Sequence, residues 1–179
     1  MSSRGFRSRF RDIFRPKPLL EKCKEIEKQT IPEINRLLGL NYTGLVDFKI
    51  EDGMKFPAAT SGNTVSVNPN WFREHPADDG AIVHELVHVV MKCPRMDESN
   101  SWMIEGIADY VRDKLGHITS WSTPTRGDPK GGYQTTAHFL LFVENKFGQD
   151  YLKRLAVTLS SRGELPDDID DKISLYMTG

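Results

Sequence analysis

The sequence predicts an α+β fold in a single domain. Its 179 residues, of which 38% are hydrophobic, are enough to bury one sizeable core. Two short segments with alternating apolar side chains, at 46–51 and 64–68, predict strands. Most of the remaining chain places apolar residues at helical spacing. We therefore expect one domain over residues 19–179, preceded by an arm at 1–18.

The arm differs from the rest of the chain in charge and pattern. Residues 1–18 contain six basic residues and one acidic residue, with Phe6, Phe10, Ile13 and Phe14 at helical spacing. This pattern is typical of an amphipathic helix on a membrane surface, or of a targeting segment. A helix docked on the domain and a disordered tail are the alternatives.

The predicted elements follow from apolar spacing and from residues that start or stop them. Helical spacing covers 19–40, where Pro32 is expected to interrupt the helix and Gly39 to end it. The strand at 64–68 is short, half-polar and followed by Pro69, so we expect it at a sheet edge. A further helix is expected to begin in the segment from Pro76 to Asp79 and to end at Pro94, and the next to be capped by Asn100 or Ser101 and to end at Gly116. Three more are expected over 133–147, 150–159 and 169–177.

The segment AIVHELVHVV carries the clearest chemical pattern. His84 and His88 are four residues apart, so on a helix both rings leave the same face and can bind one ion. Glu85 lies between them. In this H-E-x-x-H spacing the histidines ligate zinc, and the glutamate can hold and deprotonate a water molecule at the metal.

A catalytic zinc site takes three protein ligands, so a third is needed. The following segment WMIEGIAD offers Glu105, which would complete a set of two histidines and one glutamate. Asp109 lies on the same face and would accept the spare ring N–H of a ligand histidine. No H-x-x-G-x-x-H pattern follows His88, which disfavours sites with three histidines.

The alternative is an ordinary helix with surface or core histidines. Apolar residues surround His84 and His88 on nearly all faces, so this helix is expected to be buried. Three ionisable side chains would be costly there unless they had partners. A bound cation would be such a partner, and the pattern therefore favours a metal site.

Three blocks, GAIVHELVHVV, WMIEGIADYVRDKLG and GGYQTTAHFL, resemble the plant-type basic secretory protein family of zinc peptidases, within the gluzincins. The resemblance runs from about Val46 to the C-terminus. It implies a zincin-like fold, with a small mixed sheet and an edge strand above the metal helix and a helical C-terminal half. It also implies His84, His88 and Glu105 as zinc ligands and Glu85 as the catalytic residue.

The expected function is therefore that of a zinc metallopeptidase. Glu85 would act as general base, and Tyr133 is the first candidate to stabilise the developing oxyanion. Tyr133 follows two glycines where a long loop enters a helix, so its hydroxyl could reach the metal. The other candidates are His117, Arg126 and His138. A catalytically silent, metal-stabilised binding domain is the alternative function.

Composition limits the partners and the compartment. The net charge of -1 gives no reason to expect nucleic-acid binding. From the expected peptidase activity we expect a peptide or protein substrate, and we expect a monomer. Cys23 and Cys93 are too few for a disulfide framework, and we expect Cys93 to be a packed thiol. No membrane-spanning run or secretory signal is recognisable, so the sequence as written predicts an intracellular protein, although the resembled family is usually secreted.

Overall fold

The computed structural model describes residues 18–179, so the expectations for the basic arm fall outside the described part of the chain. The described elements are α1 (Leu19–Leu38), β1 (Asp47–Ile50), β2 (Ala58–Ser61), β3 (Thr64–Val67), α2 (Pro69–Glu74), α3 (Asp79–Met91), α4 (Ser101–Lys114), α5 (Tyr133–Phe147), α6 (Gln149–Arg162) and α7 (Ile169–Thr178). The fold is α+β in one domain, with a helical C-terminal half, as the sequence predicts.

The three described strands form a small mixed sheet in the order β1-β3-β2. β3 pairs in parallel with β1 and antiparallel with β2, to which it is joined by a turn at Gly62. The prediction that β3 is an edge strand was wrong, because its valines are fully buried and both of its sides are paired. The edge strand beside α3 is β2, which the sequence analysis did not predict.

The predicted interruption of the first helix at Pro32 was also wrong. α1 runs without a break from Leu19 to Leu38 and ends at Gly39, which adopts the left-handed conformation at φ 65°. Proline removes one backbone hydrogen bond from a helix interior. Burial of an apolar stripe that includes Ile26 and Ile34 on either side of Pro32 holds the two halves in one helix.

A short helix, α2, was not predicted. Pro69 had been interpreted as the end of a strand, but it occupies the first turn of α2. The side chain of Asn68 caps that turn by accepting hydrogen bonds from the backbone of Asn70 and Trp71. The remaining helix bounds agree with the prediction to within a few residues. None of the helices in residues 18–179 has the length and apolar character needed to cross a bilayer.

The core is centred on α3, which packs against α1, α4 and the sheet. Almost every α3 residue is buried, and its apolar side chains surround the two histidines. Among the described residues, the buried side chains form one continuous hydrophobic cluster that extends from α1 to α7. The helix that carries the histidines is therefore fixed on several sides by packing.

Gly106 allows α4 and α5 to approach closely. A Cβ atom at this position would lie 2.1 Å from Cγ2 of Thr136 on α5. Thr136 cannot rotate away without losing two hydrogen bonds, because its hydroxyl donates to the carbonyl of Pro129 and accepts from the amide of Gly132. The contact places the start of α5 next to the segment of α4 that contains Glu105.

We expect Gly106→Ala to destabilise the protein. Overpacking costs about 1–3 kcal/mol, and the gain in helix propensity offsets at most about 1 kcal/mol, so a net loss of roughly 1–2 kcal/mol is expected. Denaturant unfolding of both proteins measures this change. Lys114→Ala is the control, since it removes a surface ion pair between α4 and α5 with Glu144 and should cost less than about 1 kcal/mol. Unchanged stability of Gly106→Ala would show that α5 can move aside.

Candidate metal centre

Three potential ligand atoms converge where α3 meets α4. His84 and His88 project one turn apart from α3, and Glu105 faces them from α4. Nε2 of His84 lies 2.9 Å and Nε2 of His88 3.5 Å from Oε2 of Glu105. The three ligand atoms all lie within 4.8 Å of one another, so these side chains could hold one metal ion.

Asp109 lies behind His84, one turn after Glu105. Its Oδ1 is 2.8 Å from Nδ1 of His84, and the aspartate is only 2% exposed. Nδ1 donates its proton to this carboxylate, so Nε2, the nitrogen that faces Glu105, is the one that can bind a metal ion. This is the arrangement that a metal-ligating histidine requires.

The cluster shifts the protonation of its own members. Burial acts to lower the pKa of His84, but hydrogen bonds with Asp109 and Glu105 outweigh burial, and the pKa is raised. Burial acts to raise the pKa of Glu105, but hydrogen bonds from His84 and His88 outweigh it, and the pKa is lowered. The site therefore stabilises positive charge beside ionised carboxylates, as expected of a site that attracts a cation.

Arg112 extends this polar group beyond Asp109. Its guanidinium lies 4.0 Å from the Asp109 carboxylate and donates to the carboxylate of Asp78, just before α3. Its Nε donates to the carbonyl of His117 at 3.1 Å, where the 117–132 loop begins. The sequence analysis did not single out Arg112, although its place three residues after Asp109 on a helix could have indicated it.

Glu85 lies between the two histidines in sequence and is contacted from the edge strand. The hydroxyl of Thr60 on β2 lies 2.7 Å from Oε2 of Glu85 and 3.1 Å from its main-chain oxygen. The sequence analysis missed Thr60. No local pattern could have found it, because the contact joins residues 25 positions apart in different elements.

Tyr133 lies in the same cleft, at the first position of α5. Its ring stacks on that of His84, with centroids 5.9 Å apart and planes inclined by 14°, and the residue is 50% exposed. Its backbone has a φ of 44°, in the left-handed region that non-glycine residues rarely adopt. Burial raises the pKa of its hydroxyl, and the charges of Glu105, Asp109 and Glu85 raise it further.

The other three candidates for oxyanion stabilisation do not line the cleft. His138 forms a hydrogen bond with the hydroxyl of Tyr176 on α7, and Arg126 lies over the same tyrosine ring. His117 contributes its main-chain carbonyl to Arg112. Among the candidates, the structure brings only Tyr133 to the cluster of His84, His88 and Glu105.

The cleft has a volume of about 740 Å³ and follows α3 from Ala81 to Lys92. Four large apolar side chains at its border are exposed, namely Phe56, Met96, Trp121 and Tyr133. Cys93 also lines the cleft, one residue beyond the end of the helix cap, but it is not part of the metal-binding group. Burial raises the pKa of the Cys93 thiol to about 11, so this cysteine is not an activated nucleophile at neutral pH.

Comparison with known proteins identifies a family for this fold and cleft. A family model described as "Peptidase of plants and bacteria" matches residues 46–173, from the start of the sheet into α7. The match includes both helices of the metal centre. Neither the curated proteins nor the solved structures contain a match to the chain. The chain thus belongs to the basic secretory protein family of peptidases.

Proposed function

We propose that the protein is a zinc-dependent peptidase that cleaves peptide bonds with a water molecule as the nucleophile. The observation that carries this proposal is the convergence of His84, His88 and Glu105, with Glu85 beside them in one cleft. Membership of a peptidase family supports the reaction class and a peptide or protein substrate. Zinc and the roles of the individual residues are the proposed part.

The donor set fits zinc in its chemistry, and the distances from Glu105 to the two histidines can be compared with those in a zinc site. Two imidazole nitrogens and one carboxylate oxygen form a ligand set found in catalytic zinc sites. Ligands about 2.0–2.1 Å from a tetrahedral ion lie roughly 3.3 Å from one another. The observed separations of 2.9 Å and 3.5 Å from Glu105 to the two histidines fall on either side of this value. A hard cation such as Mg²⁺ would instead favour a set made of oxygens.

A zinc ion in this site would polarise the scissile carbonyl and lower the pKa of a water molecule towards neutrality. Glu85 would take the proton that the attacking water loses and later deliver it to the leaving amine. The new bond joins the water oxygen to the carbonyl carbon, and the C–N bond breaks. The reaction therefore needs no covalent bond between enzyme and substrate.

Tyr133 would donate its hydroxyl proton in a hydrogen bond to the carbonyl oxygen as negative charge develops there. Because the cleft raises the pKa of this phenol, the hydroxyl remains a neutral donor at working pH. The stacked ring of His84 limits the positions that the side chain can adopt. A half-exposed ring can still adjust when a substrate enters.

The length of the cleft suits an extended peptide. The stretch of α3 from Ala81 to Met91 is about 16 Å long, enough for roughly five residues of extended chain. β2 runs along the cleft as an edge strand and could pair with the substrate backbone. Exposed side chains at the border, such as Phe56 and Trp121, favour substrates with apolar residues near the cleaved bond.

Glu105→Ala should lose most of the bound zinc, because only two protein ligands remain. Asp109→Ala should keep a functional site with about 10- to 100-fold lower zinc affinity or activity, as expected when the partner of a ligand histidine is removed. Metal analysis after dialysis measures both. Asp113→Asn is the control, since this carboxylate of α4 lies outside the cleft lining. Full zinc content in Glu105→Ala would exclude Glu105 as a ligand.

Glu85→Gln should bind zinc like the wild type and lose hydrolysis by about 10²- to 10⁴-fold, because the amide is nearly isosteric and cannot accept a proton. Digestion of a peptide library, with metal analysis of the same samples, tests this expectation. Undiminished cleavage by the variant would assign the base to another residue. A wild type that cleaves none of the peptides would favour the silent binding domain.

Tyr133→Phe should lower turnover by about 10²- to 10³-fold while KM and thermal stability change little, since only the donor is removed. Tyr42→Phe provides the matched control. Its hydroxyl donates to the carbonyl of Leu45 outside the cleft, so its removal should leave turnover unchanged. Wild-type turnover in Tyr133→Phe would reduce the role of this residue to stacking on His84.

A further inference from the structure

Thr60 on β2 provides a hydrogen bond to the side chain that we assign as the base. Its Oγ1 lies 2.7 Å from Oε2 of Glu85 and 3.1 Å from the Glu85 main-chain oxygen. No other side chain in residues 18–179 donates a hydrogen bond to this carboxylate. The bond therefore restrains a flexible side chain that otherwise could rotate about three torsions.

The ladder of the sheet shows where the backbone of Thr60 points. The amide of Asn68 donates to the carbonyl of Pro57, so this pair is hydrogen-bonded across β2 and β3. Hydrogen-bonded and non-hydrogen-bonded pairs alternate along an antiparallel ladder. Ala58 therefore forms a non-hydrogen-bonded pair with Val67, and Thr60 forms one with Val65.

The other side of β3 leads to the same assignment. On that side the carbonyl of Val67 accepts from Glu51, so Val67 directs its hydrogen bonds to β1 and not to β2. The N–H and C=O groups of Ala58 and Thr60 consequently point away from the sheet, on the edge that borders the cleft. An extended peptide in the cleft can bind to these groups as an added strand.

We propose that Thr60 is a positioning residue that orients Glu85 at the edge where the substrate strand binds. Its backbone groups bind the substrate strand, and its hydroxyl fixes Oε2 of Glu85, so that Oε1 is left to accept the proton of the attacking water. A general base that is already oriented raises kcat by its position and does not change the affinity for substrate. This inference rests on the proposed peptidase function.

Thr60→Val keeps the shape of the side chain and deletes the hydroxyl. We expect kcat to fall by about 10- to 100-fold, the effect of a small misplacement of a reacting group, with KM and zinc content within about threefold of wild type. Thr60→Ser restores the hydroxyl and should recover kcat to within about threefold of the wild-type value. Thr64→Val makes the same change on β3, beyond the cleft lining, and should leave kcat unaltered.

A readout that does not depend on activity tests the contact itself. The thermal midpoint is measured for the wild type, Thr60→Val, Glu85→Ala and the double variant, all as the full chain. If the hydroxyl binds the carboxylate, Thr60→Val should lower the midpoint at least twice as much in the wild-type background as in Glu85→Ala. The hydroxyl has one proton, so in Glu85→Ala it can donate only to the main-chain oxygen, and the difference between the two midpoint shifts measures the bond to the carboxylate against that alternative.

The outcomes separate this inference from the function on which it rests. A wild type that hydrolyses no peptide overturns the peptidase function and this inference with it. An active wild type whose kcat survives in Thr60→Val overturns the positioning role alone. Equal midpoint shifts in the two backgrounds would also overturn it, since the carboxylate would then not be held by Thr60.

Discussion

Charge compensation between α3 and α4 is the interaction on which the site depends. Both helices are packed into the core, yet they direct two imidazoles and two carboxylates at each other across a short gap. Such groups are costly to bury unless each one faces an opposite charge or a hydrogen-bond partner. Here a proton or a cation must be shared among them, so the ligand set and the packing of the two helices stabilise one another.

The local part of the site could be predicted from the sequence because its spacing is helical. His84 and His88 are four residues apart, and so are Glu105 and Asp109. On a helix this spacing places each pair on one face, whatever the fold of the rest of the chain. Flanking apolar residues indicated that the helix with the two histidines is buried, and the structure shows that α4 is largely buried as well. Two buried helices with complementary ionisable faces have few ways to pack other than against each other.

The parts that were not predicted depend on contacts between distant segments. The central place of β3 follows from its parallel pairing with β1, and pairing partners are not encoded in the alternation of one strand. Thr60 contacts Glu85 from an edge strand of that sheet. Two prolines gave misleading local signals. Packing keeps α1 continuous through Pro32, and Pro69, preceded by the capping Asn68, begins a helix.

Arg112 illustrates how closely one side chain can constrain the evolution of such a site. Its planar head contacts Asp109, Asp78 and the carbonyl of His117, which belong to three separate segments. A lysine has a single nitrogen and no fixed fork, so it cannot reproduce this set of directions. Gly80 adds a second restriction, because any Cβ there would overlap the guanidinium and the carbonyl that it binds. The start of the 117–132 loop can therefore keep its place beside α3 only while residue 80 lacks a side chain.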